Sequence, residues 1–197
     1  MTTERRGVLL ASRSESRKRL LETAGWRVRV AEPPEDAPPE SGVRPEMYAR
    51  ETARRKVESV RAEKGLVAAA DTVVVCDGRI LGKPRDATEA RQMLRALSGK
   101  RQRVVTGVCV RNADTGRVAC GAAAAEVRMK PLSEDEIEKI IRDGRSAGAA
   151  GGYAVREDGP DEHARVLSGS ISCVVGLPLG LFERLVREVG GEECLRE

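Results

Sequence analysis

The sequence predicts an α/β protein, and three observations carry that prediction. Short apolar or β-branched runs read as strands, among them Gly7-Val8-Leu9-Leu10-Ala11 and the stretch from Leu66 to Val75. Segments with apolar residues at helical spacing fall between those runs, such as the one carrying Ala49, Ala53, Val57 and Val60. Ser14, Asp86 and Ser133, residue types suited to helix capping, stand at the starts of three such segments. With 197 residues and 40% hydrophobic content, the chain makes one domain over residues 1–197, with room for two lobes. No internal repeat and no dividing linker are visible.

Gly7 to Ala11 is the first strand, and the hydroxyl-rich turn Ser12-Arg13-Ser14 leads into a helix with Leu20, Leu21 and Ala24 inward, stopping at Gly25. Strand, turn and helix start together form a place where backbone N–H groups and the helix dipole receive phosphate. Arg13, Arg17, Lys18 and Arg19 crowd the first two turns, so an anion would relieve them; a solvated basic face is the other reading. Val28 to Val30 is a second strand. Four prolines between Glu32 and Glu40 then enforce an extended acidic loop. The helix from Pro45 ends near Gly65, with Lys56 at the edge of its apolar stripe.

The centre of the chain is Ala70-Asp71-Thr72-Val73-Val74-Val75. A carboxylate inside an apolar strand costs several kcal/mol unless a cation, a metal or hydrogen bonds compensate it. Lys83 is the nearest candidate in sequence, because a turn at Asp77-Gly78 lets Arg79 to Leu81 pair back along the strand. The other reading makes Asp71 the strand's end and the cap of a loop.

Beyond Lys83, a helix opens at Asp86-Ala87-Thr88-Glu89 and buries Ala90, Met93, Leu94 and Leu97. Strands at Gln102 to Arg111 and Arg117 to Met129 flank a turn at Asn112 to Gly116, and Ser133 to Glu136 caps a helix with Ile137, Ile140 and Ile141 inward. Ser146 to Gly152 is a small, glycine-rich loop. Tyr153 to Arg156 and Ala164 to Leu167 read as strands, and the last helix buries Leu181, Leu185, Val186 and Val189.

Composition excludes several classes. The net charge of +4, from 35 basic and 31 acidic residues, and aromatics of only 2% suit a local anion site rather than a nucleic-acid surface. The five cysteines are odd in number and lack CxxC spacing, so neither a zinc site nor a disulfide framework is expected. His163 is the only histidine, with a surface role expected, which leaves little for a catalytic triad. Met1 to Arg6 carries no apolar leader, and no apolar run is long enough to span a membrane, so a soluble cytoplasmic chain is expected. GxxxxGK[ST] is absent, which removes the P-loop ATPases.

Leu10-Ala11-Ser12-Arg13-Ser14-Glu15-Ser16-Arg17, Ala70-Asp71-Thr72-Val73-Val74, Leu81-Gly82-Lys83-Pro84, Leu97-Ser98-Gly99, Val105-Thr106-Gly107-Val108 and Val174-Val175-Gly176-Leu177-Pro178-Leu179 stand in the order and spacing of the Maf family. The chain resembles these septum-formation-linked nucleoside triphosphate pyrophosphatases over nearly its whole length. The resemblance implies an elongated mixed sheet with flanking helices and two lobes around a cleft. It also implies hydrolysis of a nucleoside triphosphate to monophosphate and pyrophosphate with a divalent cation, Mg²⁺ or Mn²⁺, and a homodimer. On it, Asp71 matches the proton acceptor, Arg17, Lys56 and Lys83 the phosphate-binding cations, and Ser12 and Ser14 the phosphate-loop hydroxyls.

The chemistry is coherent with those residues: a carboxylate deprotonates water, a metal neutralises the phosphates, and cations, Lys83 among them, stabilise the pyrophosphate leaving group. Asp71 with Glu35 or Asp36 is the expected metal set. The residues facing the base depart from the family pattern. Members for dTTP and UTP typically show Arg, Thr and Gln where this chain has Ser16, Thr72 and Arg156; Thr72 agrees with that group and not with the 7-methyl-GTP group, which carries Gln, whereas Ser16 and Arg156 match neither. Cys173 stands where Asn is usual. A substrate range different from strict dTTP and UTP enzymes is therefore expected. The alternative is a non-catalytic nucleotide-binding protein linked to septum formation.

Overall fold

The computed structural model describes residues 7–34, 39, 42–155 and 161–191. Its elements are β1 (Gly7–Ala11), α1 (Glu15–Thr23), β2 (Arg27–Ala31), α2 (Pro45–Ser59), β3 (Leu66–Cys76), β4 (Arg79–Leu81), α3 (Ala87–Leu97), β5 (Arg101–Asn112), β6 (Val118–Met129), α4 (Glu134–Arg142), β7 (Ala164–Ser168), α5 (Ile171–Val175) and α6 (Leu179–Glu188). The strands make one seven-stranded sheet in the order β2-β1-β3-β5-β6-β7, with β4 also on β3. β1 runs parallel to β2 and β3, and all other pairings are antiparallel, so the sheet is mixed.

β3 organises the molecule. Along one edge it pairs with β5 from Leu66 to Val75. Along the other, β1 covers Leu66 to Ala68 and β4 covers Val74 to Cys76. Among the described residues the segment Ala69 to Val73 between them has no strand on that edge, and Asp71 is its middle residue. The gap separates two lobes with their own cores. One packs β1, β3, α1 and α6 around Leu10, Leu21, Trp26 and Phe182. The other packs α3, α4 and β6 around Leu94, Leu97, Met129 and Ile137.

Helix α2 crosses the opposite face of the sheet and comes unusually close to it. Gly107 on β5 allows this approach, since a Cβ there would lie 2.3 Å from the carbonyl of Ala49. Ala53 and Val57 continue the contact onto Val67 and Ala69. The helix ends at Ser59 rather than near Gly65, because Val60 is already extended.

Other expectations need correction. Tyr153 to Val155 is not a strand: Gly151 and Gly152 both take positive φ and turn the chain, and Ala154 N–H bonds to Arg145 C=O instead of to a neighbouring strand. His163 is buried, only 4% exposed, with its ring edge-on to Tyr153. Cys109 and Cys120 form a disulfide, contrary to the reading from cysteine count, because the β5–β6 register places them directly opposite one another. Among the described residues no helix is long and apolar enough to cross a membrane.

Candidate active site

Asp71 and Thr72 are consecutive in β3, so their side chains leave opposite faces of the sheet. Asp71 faces α2, where Lys56 Nζ stands 3.0 Å from its Oδ1. Both residues are 5% exposed. Lys56 belongs to the buried stripe of α2 with Ala49, Thr52, Ala53 and Val57, not to its edge. Its ammonium and the Asp71 carboxylate therefore compensate each other's desolvation. The ion pair of Asp71 is with Lys56 and not with Lys83, even though the β3–β4 hairpin forms as the turn residues predict. A helix crossing brings together residues 15 apart in sequence here.

On the other face, Thr72 meets Arg17. Ser14 caps α1 by accepting from the Arg17 backbone N–H. That cap sets the helix so that the Arg17 guanidinium, on a residue 5% exposed, points inward. Its Nε donates to Gly176 C=O at 2.8 Å, and its terminal nitrogens donate to Ser12 Oγ and Thr72 Oγ1, each at 3.1 Å. Gly176 ends α5 at φ 116°, and a Cβ there would lie 3.0 Å from Thr72 Oγ1 and 3.2 Å from Arg17 Nε. This close approach explains the glycine in Val174-Val175-Gly176-Leu177-Pro178. Helix α5 is too short for periodicity to reveal it.

A cleft of about 540 Å³ opens on the Thr72 face between the lobes. Arg13, Ser14, Ser16, Arg17, Thr72 and Lys83 line it, together with Ala147 to Ala150 and Tyr153 to Val155. The glycine-rich loop thus lies against the cleft. Ser12 is buried behind the lining, while Asp71 and Lys56 lie across β3 from it. Arg156, Glu35 and Asp36 lie outside the described residues.

Some cleft residues carried no assigned role in the sequence. Gln102 and Tyr153 both line the cleft, and Thr106 lies behind Thr72. Thr106 had a visible signal, a hydroxyl within the apolar run Val104 to Val110. Tyr153 is held by Asp161, which accepts its hydroxyl proton, and burial pushes that hydroxyl well above the ordinary tyrosine range with Asp161 adding to the shift. Asp161 also takes Arg145 at 2.6 Å and the backbone N–H groups of His163 and Ala164. This network fixes the cleft wall. Burial likewise raises the Cys173 thiol, with Thr106 partly opposing the shift.

The fold combines a mixed sheet and two lobes with a cation-lined cleft and a buried carboxylate at the gap in β3. The model of the family described as Maf-like protein matches residues 7–189, and the chain belongs to the Maf family. It is 42% identical over 185 residues to a protein of Anaeromyxobacter dehalogenans (strain 2CP-C), covering 93% of this chain and 94% of that one. A relative from Ruegeria sp. (strain TM1040) is 40% identical over 186 residues, covering 92% and 94%. One from Geotalea uraniireducens (strain Rf4) is 36% identical over 195 residues, covering 98% and 100%. Each of these relatives is named dTTP/UTP pyrophosphatase.

Proposed function

We propose that this chain is a nucleoside triphosphate pyrophosphatase that converts pyrimidine triphosphates, dTTP and UTP foremost, to monophosphate and pyrophosphate. The observation that carries the reading is the buried Asp71–Lys56 pair at the gap between β1 and β4, one residue from the cleft. The names of the relatives support the substrate class. Thr72 agrees with that class, and the Ser16 departure leaves its breadth to the substrate ranking.

In this reading the base enters the cleft on the Thr72 face, and the phosphates turn around the open edge of β3 toward Asp71. Asp71 orients water and accepts its proton as the oxygen attacks the α-phosphorus. Lys56 holds that carboxylate in place. Lys83 and Arg13, on the cleft wall, and the N-terminus of α1 receive the pyrophosphate charge. Arg17 acts chiefly by joining Ser12 of the phosphate loop to Thr72 beside the base.

Among the described residues no group of three or more His, Cys, Asp or Glu is placed to hold a metal ion. The donor set nevertheless fits a hard cation. Asp71 bonds Lys56 through Oδ1, which leaves Oδ2 for a metal, and Mg²⁺ takes one or two carboxylates together with substrate phosphates. Asp71, with Glu35 or Asp36, would hold it. A bound Mg²⁺ or Mn²⁺ supplies charge neutralisation to the phosphates. A single domain, a homodimer and a cytoplasmic setting complete the reading.

The test is pyrophosphate release from a panel of canonical and modified triphosphates with Mg²⁺, with Mn²⁺ and with EDTA. Metal-dependent release is expected, with dTTP and UTP among several triphosphates turned over, as the Ser16 and Arg156 departures imply. Nucleotide binding without release from any triphosphate would replace this reading with a non-catalytic nucleotide-binding protein.

A further inference from the structure

Thr72 and Thr106 face each other across β3 and β5, their hydroxyl oxygens 3.0 Å apart. Thr106 is fully buried and also stands 2.9 Å from Cys173 C=O, a carbonyl in the short helix α5. A carbonyl only accepts, so the single Thr106 proton belongs to Cys173. Thr106 therefore accepts in its bond with Thr72, and the Thr72 proton goes to Thr106. Arg17, which only donates, takes one Thr72 lone pair at 3.1 Å. The chain of bonds runs one way, from Arg17 through Thr72 and Thr106 to Cys173. What remains on Thr72 toward the cleft is one lone pair.

We infer that Thr106 is a specificity-determining positioning residue: by committing the Thr72 proton inward, it makes Thr72 an obligate acceptor for the base. This rests on the reading of the chain as a pyrimidine nucleotide enzyme with the base beside Thr72. Uracil and thymine present N3–H, a donor, and satisfy that lone pair. Cytosine presents a bare N3, an acceptor, and sets two lone pairs against each other. An unpaired buried polar group costs enough to separate the two bases by about tenfold. A hydroxyl free to turn would not discriminate in this way, since it donates to cytosine as readily as it accepts from uracil.

Base choice is read by calorimetry with UMP and CMP, independently of turnover, on the full chain and on Thr106→Val and Thr106→Ser. UMP should bind about tenfold more tightly than CMP to the unaltered protein and to Thr106→Ser, which keeps the donor. In Thr106→Val the ratio should approach one, because Thr72 regains a free proton. 3-Methyluridine monophosphate, which lacks the N3–H, tests the same point on the unaltered protein and should bind as weakly as CMP, so the test stands even where Thr106→Val fails to fold. Equal affinity of the unaltered protein for UMP and CMP would overturn the inference, as would an unchanged ratio in folded Thr106→Val. A UMP preference without pyrophosphate release from UTP would count against the proposed activity and leave the role of Thr106 standing.

Discussion

Asp71 and Thr72 divide the work of one strand between the two faces of a sheet. Asp71 is matched to Lys56 beneath α2, and Thr72 is matched to Arg17 beside the cleft. The division makes Asp71→Asn a clean test of the proposed chemistry. Asn keeps an oxygen for Lys56 but accepts no proton, so turnover should fall about 10²- to 10⁴-fold while UMP still binds. Lys56 loses the charge of the carboxylate 3.0 Å from its Nζ in a buried position, and a stability loss of about 2 kcal/mol in urea unfolding is expected. Full pyrophosphate release from the folded variant would remove Asp71 from the reaction.

At the scale of elements, α4 shows how a local sequence signal fixes a lobe. Ser133 caps the helix by accepting from Glu136 N–H at 3.2 Å, and Glu136 accepts the Ser133 N–H at 2.8 Å. Lys130 lies 2.8 Å from the same carboxylate. Together, the Lys130 ammonium first and the Ser133 backbone next, they lower the Glu136 carboxyl from 4.5 to about 2. A folded-state value below the unfolded one contributes stability that is present above about pH 4.5 and is lost as pH falls toward about 2. Glu136→Gln keeps an oxygen acceptor for the cap but has no charge for Lys130. The variant should be less stable than the parent at about pH 7, and the difference should shrink steadily as pH falls toward about 3. Urea midpoints at several pH values measure it; a difference that stays constant with pH would show that Glu136 acts only as a neutral cap.

At the scale of the whole molecule, the sequence made local features legible and left contacts between distant segments hidden. The Ser14, Asp86 and Ser133 caps, the Asp77-Gly78 turn and the apolar faces of α2 and α3 all follow from neighbours in sequence, and all form. Helical periodicity alone puts Lys56 at the edge of the apolar stripe, because its partner lies on a strand that only the crossing of α2 over Gly107 brings near. A surface position is the expectation for His163, but its ring lies 3.3 Å from the Tyr153 hydroxyl and Asp161 holds its backbone N–H. The Cys109–Cys120 bond was legible in principle. A hairpin folded at Asn112 to Gly116 sets those two cysteines opposite each other, a register that counting cysteines ignores. The bond closes a loop with a sequence separation of 11 and ties β5, beneath α2, to β6. With two of the five cysteines joined, thiol titration in denaturant without reductant should count three, and with reductant five. Reduction should lower stability by about 3 kcal/mol, the loop-closure entropy restored to the unfolded chain. A count of five from the unreduced protein would show that the two strands hold their register without a covalent link.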